Sequence, residues 1–513
     1  MKKLGRTIRS IVLSALAGLL ITTPIMAKSK DTVRVALNAD PERVDYLQGG
    51  QNAGPVYRAM HRGLLGEIDP DRPGWRRLEL AESVEILPSK KAIKVRIKPG
   101  QVFHNGDPVT ASDVSFTFKQ LIDPANANPI ATLLRAVDRI EVIDNQNLIY
   151  HFKRPYAPWQ DILTTAVLSK KYYEEAGDKK FRQNPVGCGA FRFVSRSLGE
   201  KVILEAANQN PELKADFKTM EFLTITDAIT RTSMLVTEEL DLVLELQPHQ
   251  LKQLKKESHI KIKKTDQIPS MYSMPMRVSW YPELRDPKLR LAMTHAINRK
   301  ELVEKLFLGE GYPIYQWTSL TGLDYFSDMK IEHDPEKAKR LVKESGYRPG
   351  TPITLTYTST TPNDIILSQI IQRYLTNIGL TVKLQQLERG VYVTYLRKKD
   401  KRIGHLSLSG RPWPADPHIR FILFYRSKAP YCSYTDRPNH KELDRLIVRQ
   451  ATEVDPTKRQ KLFRKIYEIE AADPQYVPLF GLNMIYAMNK KIDYTWVSGA
   501  PGLVDLHKIQ IIE

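Results

Sequence analysis

Between positions 352 and 388 the chain reads strand, helix, strand: "PITLTYTS", then "DIILSQIIQRYLTNIG", then "LTVKLQQLE". A helix of this length between two strands is a crossover that lays the strands parallel in one sheet. That unit commits the chain to layered α/β architecture. Hairpins occur as well. "IEVIDNQNLIYHFKRP" reads as two strands around an Asp-Asn turn, and "GAFRFVSRS" with "EKVILEAAN" as a second pair. The fold class is therefore α/β with mixed sheets, neither barrel nor solenoid, and no repeat of ~20–50 residues is visible.

Local patterns place the other elements. "DTVRVALN" and "KAIKVRIKPG" alternate as strands, and "DLVLEL" suits a strand buried on both faces. "GPVYRAMHRGLLGEID" has helical spacing at Val56, Met60, Leu64 and Leu65. Thr110 followed by Asp113 resembles a capping box, with an acid in place of Glu or Gln. "DPKLRLAMTHAINRKELVEKLFLG" aligns Leu289, Ala292, Met293, Ala296 and Ile297 on one side and ends near Gly309. Two further helices follow, "KELDRLIVRQATEV" and "PTKRQKLFRKIYEIEAADP". The late run "VPLFGLNMIYAMN" is strand-like and needs partners from elsewhere in the chain.

At 513 residues the chain is too long for one core, so two or three domains are implied. The first 27 residues stand apart: four basic residues without an acid, an apolar run from Ile11 to Ile21, and small residues ending at Ala27. This is the order of a cleavable secretory signal peptide, and the apolar run is short of the ~20 residues of a membrane span. The mature chain begins near Lys28 and is placed in the periplasm. The formal charge of +19 leaves +15 beyond the signal. Such a field attracts anionic partners, but export and the scatter of the basic residues argue against nucleic acid. Two cysteines, Cys188 and Cys432, exclude a disulfide-built fold and leave their pairing open.

No GxSxG, HExxH or GxxxxGK[ST] occurs, nor any cluster of His and acids at ligand spacing. "GCGAF" at 187–191 is too short for a nucleotide loop and suits a tight crossing where glycine admits a neighbouring backbone. An exported chain without a reactive constellation points to binding: not an enzyme, and no cofactor.

Several segments together resemble the family-5 extracellular solute-binding proteins, the periplasmic dipeptide-, oligopeptide- and nickel-binding components of ABC importers. "VFHNGDPVTASDVSFTFKQLIDP" is similar to the family's F-H-D/N-G-x-P-x-T-A-x-D-V signature. "NPVGCGAFRF" is similar to its NPVGTGPY segment, with Cys188 at the threonine and Ala190 at the proline. "LRLAMTHAINRKELVEKLFLGEG" resembles its R-x-A-x-x-x-A-I-D-R helix, with Asn298 at the aspartate. The resemblance runs in order from about residue 33 to 490.

It implies a two-lobed periplasmic-binding-protein fold (class II, cluster C-like) with an extra domain. The first lobe takes residues 28–65, 188–272 and 482–513, the extra domain 66–187, and the second lobe 273–481. It also implies a monomer that captures a small peptide or peptide-like solute and docks on an inner-membrane ABC permease.

In "GRPWPADPHIRF", residues 410–421, the resemblance places a loop facing the ligand. Trp413 offers an apolar platform and Arg411 a forked donor, and Asp416-Pro417 starts a helix whose positive end favours an anion. The acid with which peptide-binding members hold an α-amine falls at Trp413 or Pro414 here. "PADPH" is closer to the nickel branch's PYDPH, but Ala415 stands at the tyrosine, and residues 419–439 hold no histidine. His418 reads as structural. Asn38, Tyr272, Arg277 and Trp317 are the other candidates, by position. A nickel-chelate binder is the alternative within the family. An exported hydrolase and a surface-interaction role are the alternatives outside it.

Overall fold

The computed structural model describes residues 31–41, 43–47, 53–69, 71–72, 74–128, 130–318, 320, 322–358, 362–412, 416–495 and 504–512. The segment expected to be a signal peptide, residues 1–27, falls outside them.

The largest sheet is organised around the late run. Strand Tyr476–Asn489 lies antiparallel to Ile260–Pro275 along nearly its whole length. At one end it pairs with Leu242–Val243, which leads on to Thr32–Leu37, Thr219–Thr224, Lys201–Ala206 and Phe191–Ser197. At the other end it pairs with Gly311–Pro313, while Ile260–Pro275 pairs with Ser409–Pro412. The register between the two long strands slips between Thr265 and Ser270, opposite Met484 and Leu482. Such bulges bend a strand locally. Leu242–Val243, buried on both faces, and Thr32–Leu37 run parallel, as do Thr32–Leu37 and Thr219–Thr224.

The β-α-β unit forms as read. Pro352–Thr358 and Thr381–Leu387 are parallel, joined through helix Pro362–Asn377, and Leu406–Ser407 adds a third parallel strand. A separate antiparallel sheet of four strands holds the hairpin Val137–Val142/Asn147–Phe152 beside Ala92–Ile97 and Ala81–Ile86. In its turn Asp144 Oδ1 accepts from the backbone N–H of Gln146 and of Asn147, both at 2.8 Å.

Apolar side chains collect in several cores. One draws on residues 33–60, 190–244 and 486–509, another on 64–188, a third on 274–382 with 406–408 and 477–482, and a fourth on 314–326 and 421–476. The first two are stapled by charge. Arg58 and Arg62 each reach both Glu79 and Asp505, all at least largely buried, with Arg58 Nε 2.6 Å from Asp505 Oδ1. The arginines hold the Asp505 carboxyl well below its usual range against the desolvation that would raise it.

Three helices differ from their sequence reading. The first ends at Met60, and Leu65–Ile68 is a strand. The Met60 carbonyl accepts the Gly189 N–H at 2.8 Å, and a Cβ on Gly187 would collide with that same carbonyl. The glycine pair is thus a close backbone crossing. Helix Pro287–Ala296 stops short of Gly309 because Arg299 donates to the Thr294 and Ile297 carbonyls, at 3.1 and 3.3 Å, and Asn298 caps a new turn. The helix expected from His418 is three α-helical residues followed by a π-turn, Phe421–Tyr425. Cys188 and Cys432 are free, buried thiols, raised by burial to about 12 and about 11.

Candidate functional site

In open α/β sheets ligands bind beyond the carboxyl ends of the parallel strands, where the chain turns away and leaves room. In the sheet built on the β-α-β unit, that end holds Leu387, Ser407 and the helix Arg389–Lys398, which Glu388 caps by accepting the Val391 N–H at 3.0 Å. Arg277 is placed there by its backbone, whose N–H donates to the His405 carbonyl at 2.8 Å. The residue is 1% exposed. Nη2 donates to Ser407 Oγ at 2.9 Å, and the Tyr392 hydroxyl lies 3.1 Å from the same oxygen. Nε and Nη1 have no hydrogen-bond partner among the described residues. The Trp280 ring lies 5.5 Å away.

Arg277 lines a narrow hollow, only about 10 Å³ in volume, with Trp317, Tyr392, Ser409, Phe424 and Tyr431. Trp317 packs against Tyr476 and Phe424, with ring centroids 4.7 and 5.1 Å apart, and its buried indole N–H also finds no partner among the described residues. Trp317 and Tyr476 border a second, larger hollow of about 160 Å³, shared with Tyr315, Tyr425, Tyr467 and Glu470. Two residues singled out in the sequence, Arg277 and Trp317, are thus brought to one wall. Sequence reasoning missed Tyr392, Ser409, Phe424 and Tyr431. The carboxyl-end rule, applied to the β-α-β unit, points to Tyr392 and Ser409.

The other candidates sit differently. Tyr272 pairs across the strands with Gly410 and stacks on Phe480 at 4.8 Å, packed against the third core. A Cβ on Gly410 would lie 2.6 Å from the Tyr272 ring, so the ring covers that backbone. Arg411 continues the same strand pair opposite Met271, and Trp413 and Ala415 lie outside the described residues. Asn38 lies at the carboxyl end of Thr32–Leu37, in the large sheet, and donates to Glu245 Oε2 at 2.9 Å. Glu245 holds a left-handed backbone, φ 58°. Its carboxyl touches solvent but is surrounded by protein, which raises its pKa, while the Arg231 charge and the Asn38 hydrogen bond pull it down.

The expected anion site at the start of the His418 helix is already filled by the chain itself. Asp416 Oδ1 accepts the His418 N–H at 2.8 Å, and its two oxygens accept from Arg459 at 2.6 and 2.7 Å. His418 is buried, takes a 2.7 Å contact from Gln450 Nε2 at Nδ1, and meets Tyr156 edge to face at 5.5 Å. Burial lowers it to about 4. Among the described residues no group of three or more His, Cys, Asp or Glu is arranged to hold a metal ion.

The sequence matches the bacterial extracellular solute-binding proteins, family 5, over residues 77–430. The chain belongs to this family. It is a transport protein, the substrate-binding component of an ABC importer, and not an enzyme. It is 25% identical over 515 residues to the glutathione-binding protein GsiB of Escherichia coli K12, covering 96% of this chain and 98% of that one. Its fold matches the ABC transporter substrate-binding protein CtaP of Listeria monocytogenes with a TM-score of 0.84 at 23% identity, over 94% of this chain and 99% of that one. DppA of Helicobacter pylori, solved with the peptide STSA, matches with a TM-score of 0.79 at 23% identity, over 94% and 98%. At these identities the two structures establish the fold alone. Among the described residues no helix is long and apolar enough to cross a membrane.

Proposed function

We propose that this family-5 member captures a peptide or peptide-like solute between two lobes and delivers it, chemically unchanged, to an inner-membrane permease. It would do so as a monomer in the periplasm after loss of residues 1–27. The first lobe would comprise 28–65, 188–272 and 482–513, the extra domain 66–187, and the second lobe 273–481.

The observation that carries the reading is the pair of long strands Ile260–Pro275 and Tyr476–Asn489. Tyr476–Asn489 runs from pairing with Leu242–Val243 to pairing with Gly311–Pro313, Ile260–Pro275 accompanies it and reaches Ser409–Pro412, and the register of the two slips midway, at Thr265–Ser270. A bulge between two bodies is where φ/ψ changes are absorbed most cheaply, as a hinge requires. A solute that contacts both bodies then favours the closed state by its own differential binding. The related GsiB is a glutathione-binding protein and the H. pylori DppA structure holds a tetrapeptide, which supports a peptide-like guest.

Small-angle X-ray scattering with and without a mixed tetrapeptide library containing glutathione tests it. The radius of gyration is expected to fall on addition of the library. A radius unchanged by saturating peptide contradicts hinge closure on such a guest.

A further inference from the structure

In the proposed domain division, the extra domain and the second lobe are joined by no crossing of the chain. Residues 66–187 enter and leave through the first lobe, to which Arg58 and Arg62 tie them at Glu79. The second lobe, 273–481, hangs from the first by the two long strands and their bulge. Motion at that bulge therefore makes or breaks whatever the extra domain and the second lobe touch.

The contact is well defined. The Ala157 N–H donates to the Ala451 carbonyl at 2.7 Å. That carbonyl lies in the last turn of helix His440–Thr452, where the helix supplies no donor of its own. Ala451 joins the apolar core of residues 64–188, and Ile419 packs against the same core. The Tyr156 ring, stacked on Phe152 at 5.7 Å, meets His418 edge to face at 5.5 Å. Tyr156, His418 and Ala451 are all buried. The second-lobe face is braced from within: Gln450 reaches His418 Nδ1 at 2.7 Å, and Arg459 holds both Asp416 oxygens and the Gln450 carbonyl. Asp416 and His418 belong to the 410–421 segment that the family resemblance turns toward the ligand, so what grips this face also places that segment.

We infer that the extra domain is a clasp: Tyr156 and Ala157 close on His418 and Ala451 as the lobes shut, hold the 410–421 segment from behind, and let go in acid. This rests on the hinge reading and not on the nature of the guest. Clasp and guest favour the same closed state, so each strengthens the other.

Acid acts through His418. Burial lowers it to about 4; the Asp416 charge pulls it up, and Arg459, Arg426 and Arg154 push it further down. Tyr156 and Gln450 are the neutral groups against it. Uncovered by opening, the imidazole returns toward its ordinary ~6.5. Between those values the open form binds the extra proton, so falling pH shifts the chain toward opening. Across the junction Asp161, paired with Arg76 at 2.6 Å, is raised chiefly by burial, and its protonation acts in the opposite sense. A His418→Gln variant removes the first effect and leaves the second.

Small-angle X-ray scattering of the guest-free protein tests the clasp, with far-ultraviolet circular dichroism to separate opening from unfolding. The wild type should be compact at pH 7.5 and expand toward pH 5 with its circular dichroism unchanged, half-opening falling between about 4 and ~6.5. Tyr156→Ala should be expanded already at pH 7.5. His418→Gln, which keeps the core ring, should stay compact at both. An unchanged wild-type radius, a Tyr156→Ala chain as compact as the wild type, or a His418→Gln chain that expands in acid as the wild type does overturns the clasp. So does an expansion that comes with loss of the circular dichroism signal, because the chain is then unfolding. If the tetrapeptide library still compacts a chain that fails these tests, hinge closure stands and the clasp falls; if the library changes nothing either, both fall.

Discussion

Among individual side chains, buried histidines give the clearest handle on stability. Burial lowers His418 to about 4 and His61 to about 3, with the charge of His104 adding to the effect on His61. An unfolded histidine titrates near ~6.5. Between the folded and unfolded values the unfolded chain binds the extra proton, so stability rises with pH across that window. Stability should be level above about pH 6.5 and fall as the pH drops toward 4, each histidine contributing up to ~1.4 kcal/mol per pH unit. Asp505, held low by Arg58 and Arg62, adds a loss of the same sign at more acidic pH. Urea unfolding at pH 7.5 and pH 5 checks this, and a midpoint equal or higher at pH 5 contradicts it. The structural role of His418 was readable because a lone histidine in a helix start has no ligand partners nearby in sequence. The hollow around Arg277 was only half readable. Its walls come from positions 277, 317, 392, 409, 424 and 431, and no spacing rule joins residues that far apart.

At the level of elements, what is encoded within a few residues was legible. Thr110 and Asp113 form the capping box as read: Asp113 Oδ2 accepts the Thr110 N–H at 2.8 Å, starting helix Ala111–Ile122. The other oxygen was invisible in sequence, since it accepts the Lys170 N–H at 2.8 Å from 57 residues away. Asp113→Ala therefore removes a cap and strands a second, partly buried N–H. It should cost about 2–3 kcal/mol, combining the loss of a cap with an unsatisfied donor, whereas a cap alone is worth about 1. Chemical denaturation measures the difference, and a cost under about 0.5 kcal/mol would show that Asp113 is dispensable. Helix ends set by distant partners were misread for the same reason. Met60 gives its carbonyl to Gly189, and Arg299 takes the carbonyls that would have continued the helix from Pro287. Periodicity reports which face is apolar but not which carbonyl another segment will claim.

For the whole molecule, the late strand mattered most. Its apolar run had no neighbour in sequence, and the structure pairs Tyr476–Asn489 with strands beginning at 242, 260 and 311. That interleaving ties the end of the chain to its first part, through Asp505 on Arg58 and Arg62 as well as through the sheet. The family membership makes the chain the binding component of an importer, and the central claim is that it holds a peptide-like guest intact. Native mass spectrometry of the purified protein mixed with the tetrapeptide library and glutathione tests this most directly. The account predicts one unmodified peptide bound per chain, released whole on unfolding; a chain that carries no peptide, or that yields cleaved products, would contradict it.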